Sequence, residues 1–322
     1  MVEFKKSRVE KQPMAQSKEK KQFIDTLIKN NINDVSKLIY QALKTENPMN
    51  IQSKLKEIDK LKSWFDSFRP LDPSVVQEMK KFYDVKFTYN SNAIEGNTLT
   101  QSETEMVLEK GITIGGKTLK EHLEVIGHKE AIDYIEELVQ QESVIGEREI
   151  KDIHSVIMQK IDKKEAGRYR NLDVRSAGTG HVYPPHYKVQ DLMDDFIDWF
   201  QSDEAKMLHP IEFATLAHYK LASIHPFKDG NGRTSRLLMN FILFQKGYPV
   251  AVISNEARKN YIESLIFAQE NKDDTSQFLE IVIDAEKESL IDYLQIASTA
   301  PNSQGKGLPF YQEMQSVISP KS

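Results

Sequence analysis

Apolar side chains recur every three or four positions along most of the chain, which is the spacing of a helix with one buried face. In the N-terminal part this spacing predicts helices at 22–43 and 51–68, and Pro70 and Pro73 close that region. Further helices are predicted at 75–89, 118–141, 147–162, 189–202, 210–224, 233–246, 255–271 and 275–298. The pattern therefore indicates an all-α fold.

Two of the predicted helices differ from the others because they lack a polar face. The segments 213–224 and 237–244 are apolar on nearly every side, and Lys246 with Gly247 after the second is typical of a helix C-terminus. We expect these two helices to lie side by side at the centre of one core. The segment 171–185, with glycines near its middle, has instead the pattern of a small β-hairpin.

Composition and charge narrow the possible classes of function. Charged residues make up 28% of the chain and the formal charge is -5, so no basic field for nucleic acid is expected. No apolar run reaches the length of a membrane span, and the first residues lack the apolar segment of a secretory signal. Cysteine is absent, which excludes disulfides, thiolate catalysis and cysteine-based zinc sites. We expect a cytoplasmic protein with neither a nucleic-acid nor a membrane partner.

The segment between the two apolar helices, HPFKDGNGRTSR at 225–236, concentrates residues that suit anion binding. Gly230 and Gly232 permit a positive φ on either side of Asn231, so successive backbone N–H groups can converge on one anion. The helix that follows adds its own N-terminal N–H donors and partial positive charge. This part of the segment is expected to hold the phosphates of a nucleotide.

Charged and titratable side chains accompany these glycines. Arg233 and Arg236 are three positions apart, share a helix face and can clamp phosphate oxygens. Asp229 is a hard oxygen ligand for Mg²⁺, and His225 is suited to take a proton from an attacking hydroxyl. Each feature alone is ordinary, as a turn, a structural histidine or a solvated arginine. Their occurrence together favours phosphoryl or nucleotidyl transfer.

The same segment resembles the signature of the Fic family, His-Pro-Phe-x-Asp/Glu-Gly-Asn-Gly-Arg-x-x-Arg, at every fixed position. The resemblance implies a Fic-type helical bundle core at 85–300 with a small β-hairpin flap, preceded by an N-terminal helical region at 23–84. Residues 1–22 are predicted to be a mobile tail and 301–322 a C-terminal tail. Self-association of the N-terminal region into a homodimer stays open.

The resemblance also implies an activity and roles for individual residues. A Fic enzyme of this kind is a protein adenylyltransferase, which transfers AMP from ATP, with Mg²⁺, to a Ser, Thr or Tyr hydroxyl of a target protein. His225 would then be the general base and Asp229 the Mg²⁺ ligand. The phosphates would be held by residues of the same segment, namely Gly230, Asn231, Gly232, Arg233 and Arg236.

A second segment, SNAIEGN at 91–97, resembles the inhibitory motif of the same family. The resemblance implies that Glu95, with Ser91 at the start of the motif, pairs with Arg236 and competes with the γ-phosphate of ATP. The enzyme is therefore expected to be weakly active, with reverse chemistry, the removal of AMP from a target, left open. Without the resemblance the segment is simply a helix end with an exposed glutamate.

Two further sites follow from the resemblance with less support from the residues themselves. The predicted hairpin resembles the family's flap, with Thr179, Gly180 and His181 near its tip, and such a flap aligns a segment of the target by strand addition. A hairpin without a role in binding fits the sequence equally well. Tyr261 resembles a position that contacts adenosine, whereas Gln269 stands where relatives usually carry Asn.

Two alternative functions also fit parts of the sequence. The segment 111–118, GITIGGKT, satisfies the P-loop pattern of an NTPase from Gly111 to Thr118, but a charged helical pattern precedes it where a buried strand is required. A catalytically idle Fic core that only binds nucleotide is the other alternative, and the intact His225 and Asp229 argue against it. His181 and His186 do not have the spacing of a zinc site.

Overall fold

The computed structural model describes residues 13–43, 50–175, 180–300 and 306–318, with side chains from residue 18 onward. The helices are α1 Pro13–Lys29, α2 Ser36–Leu43, α3 Ile51–Asp66, α4 Pro73–Ile94, α5 Gln101–Lys110, α6 Leu119–Gln140, α7 Glu147–Met158, α8 Val189–Gln201, α9 Asp203–Met207, α10 Pro210–Ile224, α11 Asn231–Gln245, α12 Arg258–Glu270, α13 Ser276–Thr299 and α14 Leu308–Ile318. These ranges contain no β-sheet, and the predicted all-α fold is confirmed.

Local sequence explains where several of these helices begin. Thr100 Oγ1 accepts a hydrogen bond from the N–H of Glu103, and the N–H of Thr100 donates one to the Glu103 carboxylate, which forms a capping box at the start of α5. Thr118 and Glu121 form the same arrangement at the start of α6. Each box satisfies backbone donors that a helix start otherwise leaves without partners.

The chain divides into two compact units, and the first consists of Met1–Met79 with Leu290–Ser322. The predicted helix at 22–43 is two helices in this unit, because the chain turns at Asn31, which adopts a left-handed conformation with φ 53°. Helix α1 begins at Pro13, within the range predicted as an N-terminal tail. Helix α14 lies in the range predicted as a C-terminal tail, and it is ordered by burial of Phe310 and Met314, Phe310 packing edge-on to Phe23.

The second unit, Lys80–Ser289, is built around α11. Nearly every residue of α11 is buried, and the helix packs against α10, α6 and α7. The predicted central pair of apolar helices is therefore confirmed as α10 and α11. A helix that is apolar all round is stable only when other helices cover every face, and this burial gives the segment between α10 and α11 two rigid ends.

The predicted hairpin at 171–185 is represented by one antiparallel bridge between Arg175 and Val182. Thr179 falls within 176–179, outside the described residues, so a longer ladder is not established and the flap stays a prediction. In the described ranges, no helix combines the length and apolar character needed to cross a bilayer.

Candidate active site

The segment between α10 and α11 has a residue in the left-handed backbone conformation at each end. Helix α10 ends at Ile224 and is capped by His225, which has φ 52° and ψ 57°, and α11 begins directly after Gly230, which has φ 78°. Between them, the side chain of Asn231 accepts a hydrogen bond from the N–H of Phe227 at 2.9 Å and donates one to its carbonyl at 2.8 Å. The side chain of Asn231 therefore shapes the loop, so the predicted contact of Asn231 with a nucleotide would have to come from its backbone N–H.

His154 of α7 supports the loop through contacts with Phe227 and Asp229. Its ring stacks on Phe227 with centroids 3.7 Å apart, and its Nδ1 accepts the N–H of Gly167 at 2.9 Å. Nε2 therefore carries the proton and donates to the carbonyl of Asp229 at 2.9 Å. A Cβ at Gly230 would lie 3.2 Å from the His154 ring, so this close approach requires glycine as much as the positive φ does.

Two neighbours, the carbonyl of Ala222 and the ring of Tyr183, orient the imidazole of His225. Nδ1 lies 3.3 Å from the carbonyl of Ala222, which can only accept, so Nδ1 carries the proton and Nε2 presents a lone pair. Tyr183 stacks on the ring with centroids 3.7 Å apart at 17°. Burial lowers the pKa of His225 to about 4, so the ring is neutral near pH 7 and Nε2 can accept a proton.

Arg233 is a buried cation whose hydrogen-bonding capacity is only partly used, because only Nη2 has partners, Asp229 Oδ1 and Met158 Sδ. Its side chain is 2% exposed, and Nε and Nη1 have no hydrogen-bond partner among the described residues. The nearest carboxylate oxygens lie 3.7 Å away on Glu124 and 3.4 Å away on Asp229. A buried guanidinium with free donors is costly unless an anion completes its coordination, so Arg233 marks a candidate anion site.

Asp229 lies at the exposed edge of this anion site. One carboxylate oxygen accepts the N–H of Gly230 at 2.6 Å, and the side chain remains 55% exposed. Among the described residues, no group of three or more His, Asp or Glu side chains could hold a metal by itself. A single accessible carboxylate nevertheless suits Mg²⁺, which is usually held by one or two carboxylates together with substrate phosphates and water.

Arg236, the second arginine of the segment, is fully buried and bound to the end of α4. Its Nη2 donates to Glu95 Oε1 at 2.7 Å and to the carbonyl of Ser91 at 2.8 Å, and its Nε donates to Ser91 Oγ at 3.0 Å. This is the contact between Glu95 and Arg236 that the resemblance implies. Gly232 does not adopt the expected positive φ; it is glycine because a Cβ there would overlap Glu95 Oε1 and crowd Arg236.

Tyr261, predicted to contact adenosine, is 3% exposed and lies against Arg236. Arg236 Nη1 donates to the Tyr261 hydroxyl at 3.3 Å, and that hydroxyl lies 3.0 Å from Nε2 of the buried His218. Burial lowers the pKa of His218 well below its usual value, so the neutral ring accepts the hydroxyl proton. Gln269 donates to Ser223 Oγ at 3.3 Å.

The residues predicted near the flap tip are only partly placed. Gly180 has φ 72°, and the ring of His181 lies edge-on to Tyr183 with centroids 5.0 Å apart. Through Tyr183, which also stacks on His225, this part of the segment adjoins the proposed base. Thr179 lies outside the described residues.

The segment that matches the P-loop pattern has structural roles. Gly111 ends α5 in a left-handed conformation, Thr118 caps α6, and Lys117 donates to the carbonyl of Thr98 at 2.5 Å. A helix precedes the segment where a P-loop follows a strand. Nothing in this geometry favours the NTPase alternative.

Four residues that contribute to the site were not identified from the sequence: His154, Arg170, Tyr183 and His218. The first three reach the 225–236 segment from earlier parts of the chain, whereas His218 of α10 contacts Tyr261, and no local motif marks these contacts. Only the folded structure brings them to the site.

Comparisons with known proteins agree with this geometry. The profile of the Fic/DOC family matches residues 144–243. A relative from Culex quinquefasciatus, named Protein adenylyltransferase Fic, is 34% identical over 248 residues, which cover 77% of this chain and 49% of the relative. The chain thus spans about half the length of the curated relatives it matches.

Two solved structures have the same fold. Fic-1 from C. elegans is 33% identical, with a TM-score of 0.68 over 75% of this chain and 72% of the solved one. A Fic domain containing signaling protein from Bacteroides thetaiotaomicron is 31% identical, with a TM-score of 0.67 over 77% of this chain and 97% of the other.

Proposed function

Because the chain belongs to the Fic/DOC family, we propose that it is a protein adenylyltransferase, which transfers AMP from ATP to a Ser, Thr or Tyr hydroxyl of a target protein. Relatives at 34% to 41% identity are named protein adenylyltransferases. The observation that carries the proposal is the buried guanidinium of Arg233, which lies beside Asp229 and has free Nε and Nη1 donors. This is the environment that a polyphosphate requires.

His225 is the proposed general base. The target hydroxyl oxygen attacks the α-phosphorus of ATP, and its proton passes to Nε2 of His225. The bond between the α-phosphorus and the bridging oxygen breaks, so pyrophosphate leaves with the electron pair. The lowered pKa of His225 keeps the ring neutral before the reaction, so Nε2 has a lone pair available for this proton.

Arg233 and the N–H groups at the start of α11 would hold the phosphates. The N–H groups and the helix dipole favour negative charge at this position, and Arg233 adds two free donors. Asp229 would hold Mg²⁺ on the exposed side. When bound, Mg²⁺ supplies positive charge that offsets the charge developing on the phosphates.

The contact between Glu95 and Arg236 is the proposed inhibitory element. In the structure the carboxylate occupies the guanidinium that would otherwise reach the γ-phosphate of ATP. ATP bound beside this pair would have its α-phosphate out of line with His225, and a small misplacement of reacting atoms costs a large factor in rate. The enzyme is thus proposed to be held at low activity by its own α4.

Self-modification measured by intact mass tests both parts of the proposal. We expect Glu95→Gly, incubated with ATP and Mg²⁺, to gain the mass of AMP at least about tenfold faster than the unmodified sequence, because a hydrogen bond between charged groups contributes about 1.5–3 kcal/mol. Glu142→Gly makes the same substitution at an exposed turn and should not change the rate.

The role of the base is tested in the same assay. We expect Glu95→Gly with His225→Ala to gain no AMP, whereas Glu95→Gly with His186→Ala, which changes an exposed histidine, should retain the reaction. Equal rates for Glu95→Gly and the unmodified sequence would show that Glu95 does not inhibit the enzyme. AMP transfer in the protein that lacks His225 would show that His225 is not the general base.

A further inference from the structure

Arg170 is a buried arginine outside the 225–236 segment, and no motif accounts for it. Its side chain and backbone make four hydrogen bonds, all to backbone carbonyls. Nε donates to His225 at 2.8 Å, and the Arg170 N–H donates to Pro226 at 2.9 Å. Two successive carbonyls at the start of the loop are therefore held by one residue.

The other end of the guanidinium reaches a different part of the chain. Nη1 donates to the carbonyl of Leu172 at 3.0 Å, and Nη2 donates to the carbonyl of Pro184 at 2.5 Å. These carbonyls flank the segment that contains the bridge between Arg175 and Val182. Arg170 thus closes the base of this segment while it holds the loop.

Both contacts bear on the imidazole of His225. A non-glycine residue with φ 52° is held in a conformation that costs of order 1 kcal/mol, and it persists only where neighbouring groups fix it. Arg170 fixes its carbonyl. Through Pro184 it also fixes the adjacent Tyr183, whose ring stacks on the imidazole.

Fold stability alone is a weak explanation for such a residue. Arg170 is 3% exposed, and the acceptors named above are neutral carbonyls, so the cost of burying the charge is offset by hydrogen bonds to neutral groups and by the attraction of the Asp173 carboxylate, without a direct ion pair. The planar guanidinium is the side chain that can reach carbonyls in three directions at once, which an ammonium cannot. The guanidinium fixes the carbonyls of Leu172, Pro184 and His225 relative to one another.

We infer that Arg170 is a positioning residue, which aligns the His225 imidazole with the hairpin segment that carries Tyr183. The inference rests on the proposed role of His225 as the base. It assigns to the interior of the protein a direct mechanical link between the base and the segment proposed to align the target.

The test compares Arg170→Met, Arg170→Lys and the exposed control Arg168→Met, all in the Glu95→Gly protein. We expect Arg170→Met to lower the rate of AMP transfer about a hundredfold, the factor that a misplacement of about 1 Å costs. The ATP concentration for half-maximal rate should change less than about twofold, because the phosphate-binding groups are untouched. Arg170→Lys should restore only part of the rate, and Arg168→Met should change nothing.

A second readout does not depend on activity. With ¹³C-labelled histidine, the ring signal of His225, assigned by its loss in His225→Ala, should move in Arg170→Met. The pKa of His225 should rise, because a nearby positive charge that contributes to lowering it has been removed. If the Glu95→Gly protein itself transfers no AMP, the proposed function is wrong. The ring signal of His225 still shows whether Arg170 positions the imidazole.

Two results would overturn the inference. One is a His225 signal, titration and transfer rate in folded Arg170→Met that match the parent. The other is loss of the folded state, by circular dichroism, in both Arg170→Met and Arg170→Lys, which would make Arg170 a residue of the fold alone.

Discussion

At the scale of single residues, the two arginines of the 225–236 segment are in opposite states. Arg233 has donors without partners, whereas Arg236 is bound by Ser91, Glu95 and Tyr261. A resting site with one arginine ready for phosphate and the other occupied can bind a nucleotide without aligning it for reaction. The strength of the Arg236 contacts should therefore set the basal rate.

Tyr261→Phe tests whether Tyr261 acts on Arg236 or on the nucleotide. The structure places its hydroxyl between Arg236 and His218, so its loss should weaken the resting position of Arg236. A hydrogen bond of this kind contributes about 1 kcal/mol, and we expect basal AMP transfer to rise a few-fold. In the Glu95→Gly protein the same change should have no effect on the rate. A higher requirement for ATP in both proteins would instead make Tyr261 an adenosine contact.

At the scale of elements, the site is a short loop between two buried helices, supported by a third. Helices α10 and α11 fix the two ends, and His154 of α7 holds the carbonyl of Asp229. The left-handed Gly230 is the point where these constraints meet. Substitution of Gly230 should therefore be poorly tolerated, although this residue lies in a loop and not inside a helix.

Gly230→Ala tests this intolerance. A side chain at φ 78° is strained and its Cβ would lie 3.2 Å from both His154 and Met158 Sδ. We expect a loss of roughly 1–2 kcal/mol in the free energy of unfolding and at least a tenfold loss of AMP transfer in the Glu95→Gly protein. Gly115→Ala is the matched control, because that Cβ has no atom within 4 Å and φ is not positive. Equal effects of the two changes would contradict this account of the loop.

The sequence predicted most of the helices and the local part of the site. Periodicity located α6, α8, α10 and α13 closely, because each carries a clear apolar pattern. It missed the turn at Asn31 and helix α14, where the apolar set is small and the helix depends on tertiary burial. His154, Arg170 and His218 could not be predicted, because their contacts join positions far apart in the chain.

At the scale of the whole molecule, the second unit buries histidines that stay neutral in the folded state. Burial lowers the pKa of His225 to about 4, and it lowers the pKa values of His128 and His218 well below the usual value. The unfolded chain takes up protons near pH 6.5, whereas the folded protein does not. Stability should therefore be full above this pH and decrease as the pH falls toward 4.

Urea unfolding at pH 7.5 and pH 5 measures this dependence. For His225 alone, a pKa of about 4 in place of about 6.5 corresponds to about 2 kcal/mol lost between these pH values. The fluorescence of Trp199 in a Trp64→Phe protein reports on the second unit, since Trp64 belongs to the first. A free energy of unfolding that is equal at both pH values would show that these histidines titrate normally.

Labelled ATP tests the central claim most directly. The Glu95→Gly protein is incubated with Mg²⁺ and with ATP labelled at either the α- or the γ-phosphate, and the label retained on the protein is measured. AMP transfer at the 225–236 loop predicts label from the α position only, and none when His225→Ala is added. Label retained from the γ-phosphate, or α-label that persists without His225, would contradict the account.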